Sequence, residues 1–119
     1  MTIGFIGTGR IAEAMVEGLC AGEGPKEPIL VSPRGAVVSR GLAARFAAVE
    51  VAADNQAVAD ACDPVFLCLP PDGVESALIG ISFRPDQRVI STIGTMGLEE
   101  VGRWVNPKAR LFRAGPQPP

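Results

Sequence analysis

Residues 2–18, TIGFIGTGRIAEAMVEG, decide the fold. Ile3-Gly4-Phe5-Ile6 is an apolar run of strand type that leads straight into Gly7-Thr8-Gly9-Arg10-Ile11-Ala12. Beyond it Ile11, Met15 and Leu19, with Ala12 and Val16 beside them, recur at helical spacing. The stretch reads as a strand, a tight glycine turn and a helix. Gly7 permits backbone angles that a Cβ resists, and Gly9 clears the place where a pyrophosphate approaches the backbone. Ala12 lets the helix lie close to the strand. The amides that open the helix converge where its dipole favours an anion. This is a dinucleotide fingerprint with alanine in its third small position; a glycine turn kept for packing alone gives the same letters.

The 119 residues fit one domain, 1–119, with enough chain for a core. At 47% hydrophobic and 20% charged residues the composition is that of a globular chain. A net charge of −2 with scattered Lys and Arg speaks against a nucleic-acid surface or a polybasic membrane anchor. The N-terminus carries no basic, apolar leader and the chain no long apolar span, so the expected location is cytoplasmic and membrane-free. Cys20, Cys62 and Cys68 lack metal-ligand spacing and sit among apolar residues, as small buried hydrophobes do. There is no histidine or tyrosine, which removes the commonest general base and any Tyr-Lys dehydrogenase mechanism within these residues. No metal site is expected.

Along the chain, strands alternate with helices. Gly22, in the breaker cluster 21–25, is expected to cap the first helix. Pro28-Ile29-Leu30-Val31 is the second strand, and its tip faces the adenosine ribose in dinucleotide folds. An acid there selects NAD. Here the residues are Ser32-Pro33-Arg34, a hydroxyl and a guanidinium suited to a 2′-phosphate, so NADP(H) is the expected cofactor. Ser32 followed by Pro33 is also a good helix start. A helix over 37–48, a strand at 49–51 and a helix from Asp54, its N-cap, to Cys62 with Val58 and Ala61 inward come next. Asn55 either touches the nucleotide or serves the cap. Residues 64–69 are a buried central strand stopped by Pro70-Pro71-Asp72-Gly73. A helix over 74–81, a strand at 88–91 with the small-residue tip 92–97, a helix over 98–105 with Trp104 as a core anchor, and a strand at 109–113 complete the pattern. Right-handed crossovers then give an α/β, doubly wound parallel sheet, the Rossmann fold, in strand order 3-2-1-4-5-6.

The opening IGFIGTGRIAEAMVEGL, then VSPR, DNQAVADACD, STIGTM and the closing LFRAGPQPP, in that order, resemble the N-terminal domain of pyrroline-5-carboxylate reductases. Three loops depart from the family: Pro70 stands at a lysine, Thr92-Ile93-Gly94 at Ala-Ala-Gly, and Pro116-Gln117-Pro118-Pro119 at Pro-Asn-Thr-Pro. The resemblance implies an NADPH-dependent reductase that passes hydride to a cyclic imine in proline biosynthesis. It further implies a separate C-terminal helical domain, outside this chain, that dimerises and binds the imine, so this chain is expected to be the cofactor half and not to turn over alone. Gly7, Thr8, Gly9, Arg10 and Ile11 would hold the pyrophosphate, Ser32 and Arg34 the 2′-phosphate, and Leu69, Pro70, Thr92 and Gly94 would border the nicotinamide. Arg10 is equally readable as a solvated side chain. No residue is a convincing proton donor, so the catalytic residues are left unassigned. Neighbouring readings are an NADP reductase of the deazaflavin-dependent type, a stand-alone NADP-binding module, and a Rossmann domain that binds nothing.

Overall fold

The computed structural model describes residues 2–105 and 109–114. The expected topology is present: six parallel strands in the order 3-2-1-4-5-6. They are β1 (Thr2–Ile6), β2 (Ile29–Val31), β3 (Val49–Val51), β4 (Cys62–Leu67), β5 (Arg88–Ser91) and β6 (Arg110–Arg113). The helices between them are α1 (Arg10–Leu19), α2 (Ala36–Arg45), α3 (Asn55–Ala61), α4 (Val74–Leu78) and α5 (Leu98–Gly102). A 3₁₀ turn at Pro71–Gly73 precedes α4.

β1 lies between β2 and β4, with Gly4 level with Leu30 on one side and Val65 on the other. Consecutive residues of a strand face opposite sides, and here they feed two cores. Phe5 joins Ala12, Val16, Ile29, Val31 and Leu42 under α1 and α2, and its ring stacks on Phe66 at 5.2 Å between centroids. Ile6 joins Val58, Val65, Leu67, Leu78 and Val89 under α3 and α4. Gly4 is what lets α3 settle on the sheet, since a Cβ there would lie 2.6 Å from Cys62 Cβ and 2.7 Å from Val58 Cγ1. Asp54 caps α3 as expected, its carboxylate accepting from the Ala57 amide at 2.8 Å.

Several local expectations are corrected. On α1 the inward positions are Ala12 and Val16, both fully buried, whereas Ile11 is 45% exposed. The apolar band is wider than the buried stripe. The cap of α1 is Cys20, whose amide bonds back to Val16; Gly22 takes a positive φ of 65° two residues later. α2 starts at Ala36 behind Gly35 rather than at Ser32-Pro33, and extended Phe46 ends it before Ala48. In α3, Ala59 is buried and Ala61 exposed. α4 stops at Leu78 because Ile79 turns extended and Gly80 takes φ 78°. α5 ends at Gly102, and Trp104, beyond it, packs half-buried against the core. Among the described residues no helix is long and apolar enough to cross a membrane.

Candidate dinucleotide-binding site

Two cavities open along the carboxyl edge of the sheet, where β1 and β4 send their chains to opposite faces. One of about 250 Å³ is bordered by Gly7, Thr8, Arg34, Gly35 and Asn55. The other, of about 490 Å³, is bordered by Arg10, Ile11, Pro71, Thr92, Ile93, Gly94 and Thr95. Gly9, Cys68, Leu69 and Pro70 belong to both, so the two form one cleft crossing over the start of α1.

The glycine turn owes its shape to neighbours far away in sequence. Gly7 has φ 92°, and a Cβ on it would sit 2.5 Å from the Cys68 carbonyl oxygen. The Gly7 amide donates to Ser32 Oγ at 2.9 Å, and the Thr8 hydroxyl donates to the Arg34 carbonyl. Gly35, at φ 75°, has no room for a side chain because Thr8 Oγ1 would lie 2.8 Å from its Cβ. The turn after β1 and the loop after β2 are thus one locked unit. Gly9 is different. Its φ is −100°, and nothing lies within 4 Å of where a Cβ would project. That empty space adjoins the N-terminus of α1, where the first helical bond is Glu13 N–H to the Gly9 carbonyl at 3.0 Å. The amides ahead of it have no helical acceptor and carry the positive end of the dipole.

The charges agree with that field. Arg10 and Arg34 stand on the two halves of the cleft, and among the described residues no carboxylate borders either. Arg34 reaches across to α4, its Nη1 donating to Ser76 Oγ at 3.3 Å. Asn55 Nδ2 donates to the Ala77 carbonyl at 3.1 Å, so Asn55 braces α4 and faces the cleft at once. Thr92 is buried and its hydroxyl donates to the Leu67 carbonyl at 2.9 Å, which fixes the tip of β5. Arg113 Nη2 donates to the Gly94 carbonyl at 2.6 Å and steadies the same tip from β6. Burial pushes the Cys68 thiol up to about 11 against the opposing effect of Thr92, so it is a neutral wall at physiological pH. Among the described residues no group of three His, Cys, Asp or Glu side chains is placed to hold a metal.

Of the twelve residues singled out from the sequence, eleven border the cleft; Ser32 does not. Ser32 is fully buried and spends its hydroxyl on the Gly7 amide, so it holds the turn from below. Its pairing with Pro33 suggested a helix start, and the distance of 25 residues to Gly7 hid the real partner. Gly35, Cys68, Pro71, Ile93 and Thr95 also border the cleft and were not among the twelve. For Gly35 a signal existed, a glycine directly after the arginine of the strand tip. Residues 115–119, which carry the last part of the family-like closing segment, lie outside the described residues.

The family model for "NADP oxidoreductase coenzyme F420-dependent" matches residues 2–94. The pyrroline-5-carboxylate reductase of Pseudomonas aeruginosa is 29% identical over 98% of this chain and 43% of its own length. Pyrroline-5-carboxylate reductase 3 of Bos taurus is 30% identical over 98% of this chain and 38% of its own. Among solved structures, a pyrroline-5-carboxylate reductase from Coxiella burnetii superposes with a TM-score of 0.83 at 27% identity, over 98% of this chain and 44% of that one. The chain therefore spans about two fifths of the length of these relatives. Because that family model covers residues 2–94 of the 119, the chain belongs to the F420-dependent NADP oxidoreductase family.

Proposed function

We propose that this chain is the NADP(H)-binding half of a reductase of the pyrroline-5-carboxylate reductase type, acting on the C=N bond of a cyclic imine. The observation that carries the reading is the open space over Gly9 at the head of α1, between two arginines and with no carboxylate among the described residues of the cleft. Those residues fit a dinucleotide. The amides of the turn and the start of α1 bind the pyrophosphate, and Arg34 binds the 2′-phosphate with the fork geometry a guanidinium offers. Ser32 supports the turn rather than the phosphate. Bound NADPH supplies the hydride.

The wall of Leu69, Pro70 and Ile93 excludes water and orients the ring, and Thr92 and Gly94 hold the β5 tip against it. Pro70 and Pro71 offer carbonyls and no N–H. Among the described residues this half of the cleft carries no Asp, Glu, His or Tyr, so the proton for the imine nitrogen comes from outside these residues. A C-terminal domain that dimerises and binds the imine completes the enzyme in this proposal, and three free thiols suit a cytoplasmic home.

A second reading, hydride exchange between NADP and a reduced deazaflavin, is favoured by the family model over residues 2–94. The imine reading is favoured by relatives whose similarity runs over 98% of the chain. Following NADPH oxidation by the complete gene product carrying this chain, with pyrroline-5-carboxylate and separately with oxidised F420, tests them. Turnover with the imine alone supports the proposal. Turnover with F420 alone replaces it.

A further inference from the structure

The hydrogen bond between Arg34 and Ser76 joins the loop after β2 to α4, 42 residues on, at the edge of the smaller cavity. Ser76 does not border that cavity itself; it meets the cavity through Arg34. Its own hydrogen is already committed, since the hydroxyl donates to the Gly73 carbonyl at 3.2 Å. A hydroxyl whose proton is held by a carbonyl turns its lone pairs outward and is a better acceptor for a cation. Ser76 Oγ is therefore fixed as an acceptor facing Nη1. Gly73 is held in turn by Pro70, its amide donating to the Pro70 carbonyl at 2.9 Å, and Pro70 is a wall of both halves of the cleft. Among the described residues Arg34 has no carboxylate partner. Its other N–H groups remain for a ligand.

We infer that Ser76 is a specificity-determining positioning residue: by tethering Nη1 it holds the Arg34 guanidinium over the adenosine end of the cleft, preorganised for a ribose 2′-phosphate. An exposed arginine on a flexible stem otherwise loses rotamer freedom on binding phosphate, which weakens the preference for the phosphorylated dinucleotide. The inference rests on the NADP(H) reading and concerns a different residue from those that touch the nucleotide.

The test is the ratio of dissociation constants for NADH and NADPH, measured by calorimetric titration of the purified chain and its variants at fixed salt. Ser76→Ala is expected to lower the ratio about threefold, through weaker NADPH binding with NADH unmoved, as the cost of immobilising one rotamer-rich side chain on binding implies. Ser76→Thr keeps the hydroxyl and is expected to keep the ratio. Arg34→Ala, the reference, removes most of the preference. If Arg34→Ala collapses the ratio while Ser76→Ala leaves it unchanged, or weakens both nucleotides equally, Ser76 has no positioning role and the inference is wrong while the cofactor assignment stands. If Arg34→Ala leaves the ratio unchanged, the 2′-phosphate assignment itself fails, and the inference with it.

Discussion

Three glycines of the turn after β1 and the loop after β2 do two different jobs, and substitution separates them. Gly7→Ala forces a Cβ against the Cys68 carbonyl at a φ of 92°, so it is expected to cost about 2 to 3 kcal/mol of stability, read as a lower Tm. Gly35→Ala meets Thr8 in the same way and is expected to behave alike. Gly9→Ala has open space and an ordinary φ, so its stability is expected to stay within about 1 kcal/mol of the parent's. Its added methyl occupies the phosphate approach, and NADPH affinity is expected to drop at least about tenfold, roughly 1.4 kcal/mol. A Gly9→Ala variant that binds NADPH normally would mean that the turn is a packing device. The thiols report on residue environment too. Burial raises Cys62 and Cys68 from the ordinary value near 9 to about 11. The unfolded chain releases these protons first, so their contribution to stability is intact below pH 9 and is lost as pH rises towards 11. Denaturant midpoints measured across that window are expected to fall, and Cys62→Ala is expected to flatten the slope although it lowers stability throughout.

Secondary structure was legible where burial is continuous and obscure where a contact is remote. β1 and the later part of β4, Val65–Leu67, are apolar runs because central parallel strands are covered on both faces, although β4 runs from Cys62 to Leu67 rather than over 64–69, and the strand order follows from the crossover rule once the alternation is seen. Ser32-Pro33 has the chemistry of a helix start, yet α2 begins at Ala36, next to the expected residue 37, and the Ser32 hydroxyl is used 25 residues away on the Gly7 amide. The same blindness hid Gly4, whose missing side chain matters only because Val58 and Cys62 lie over it. The cleft itself was largely readable, since most of its wall comes from the turn after β1 and the tips of β4 and β5. At this scale the cap of α3 gives a clean prediction. Asp54→Ala removes the acceptor for the Ala57 amide at 2.8 Å and is expected to cost about 1 kcal/mol, read in urea unfolding, while Asp54→Ser or Asp54→Asn restores most of it.

The whole molecule is a six-stranded sheet whose carboxyl edge gathers a glycine turn, two arginines and two small-residue tips into one cleft. Fold follows from the apolar pattern, and the cleft follows from where the strand order reverses. Its account as a cofactor half stands on NADP(H) binding by the chain itself. The most direct measurement is a thermal-shift titration of the purified 119-residue chain with NADPH and, separately, NADH. The prediction is that NADPH raises the Tm in a saturable way, by the equivalent of about 2.7 kcal/mol at ~100-fold excess over Kd, and that NADH does so far less. Absence of any shift with either nucleotide would contradict the account.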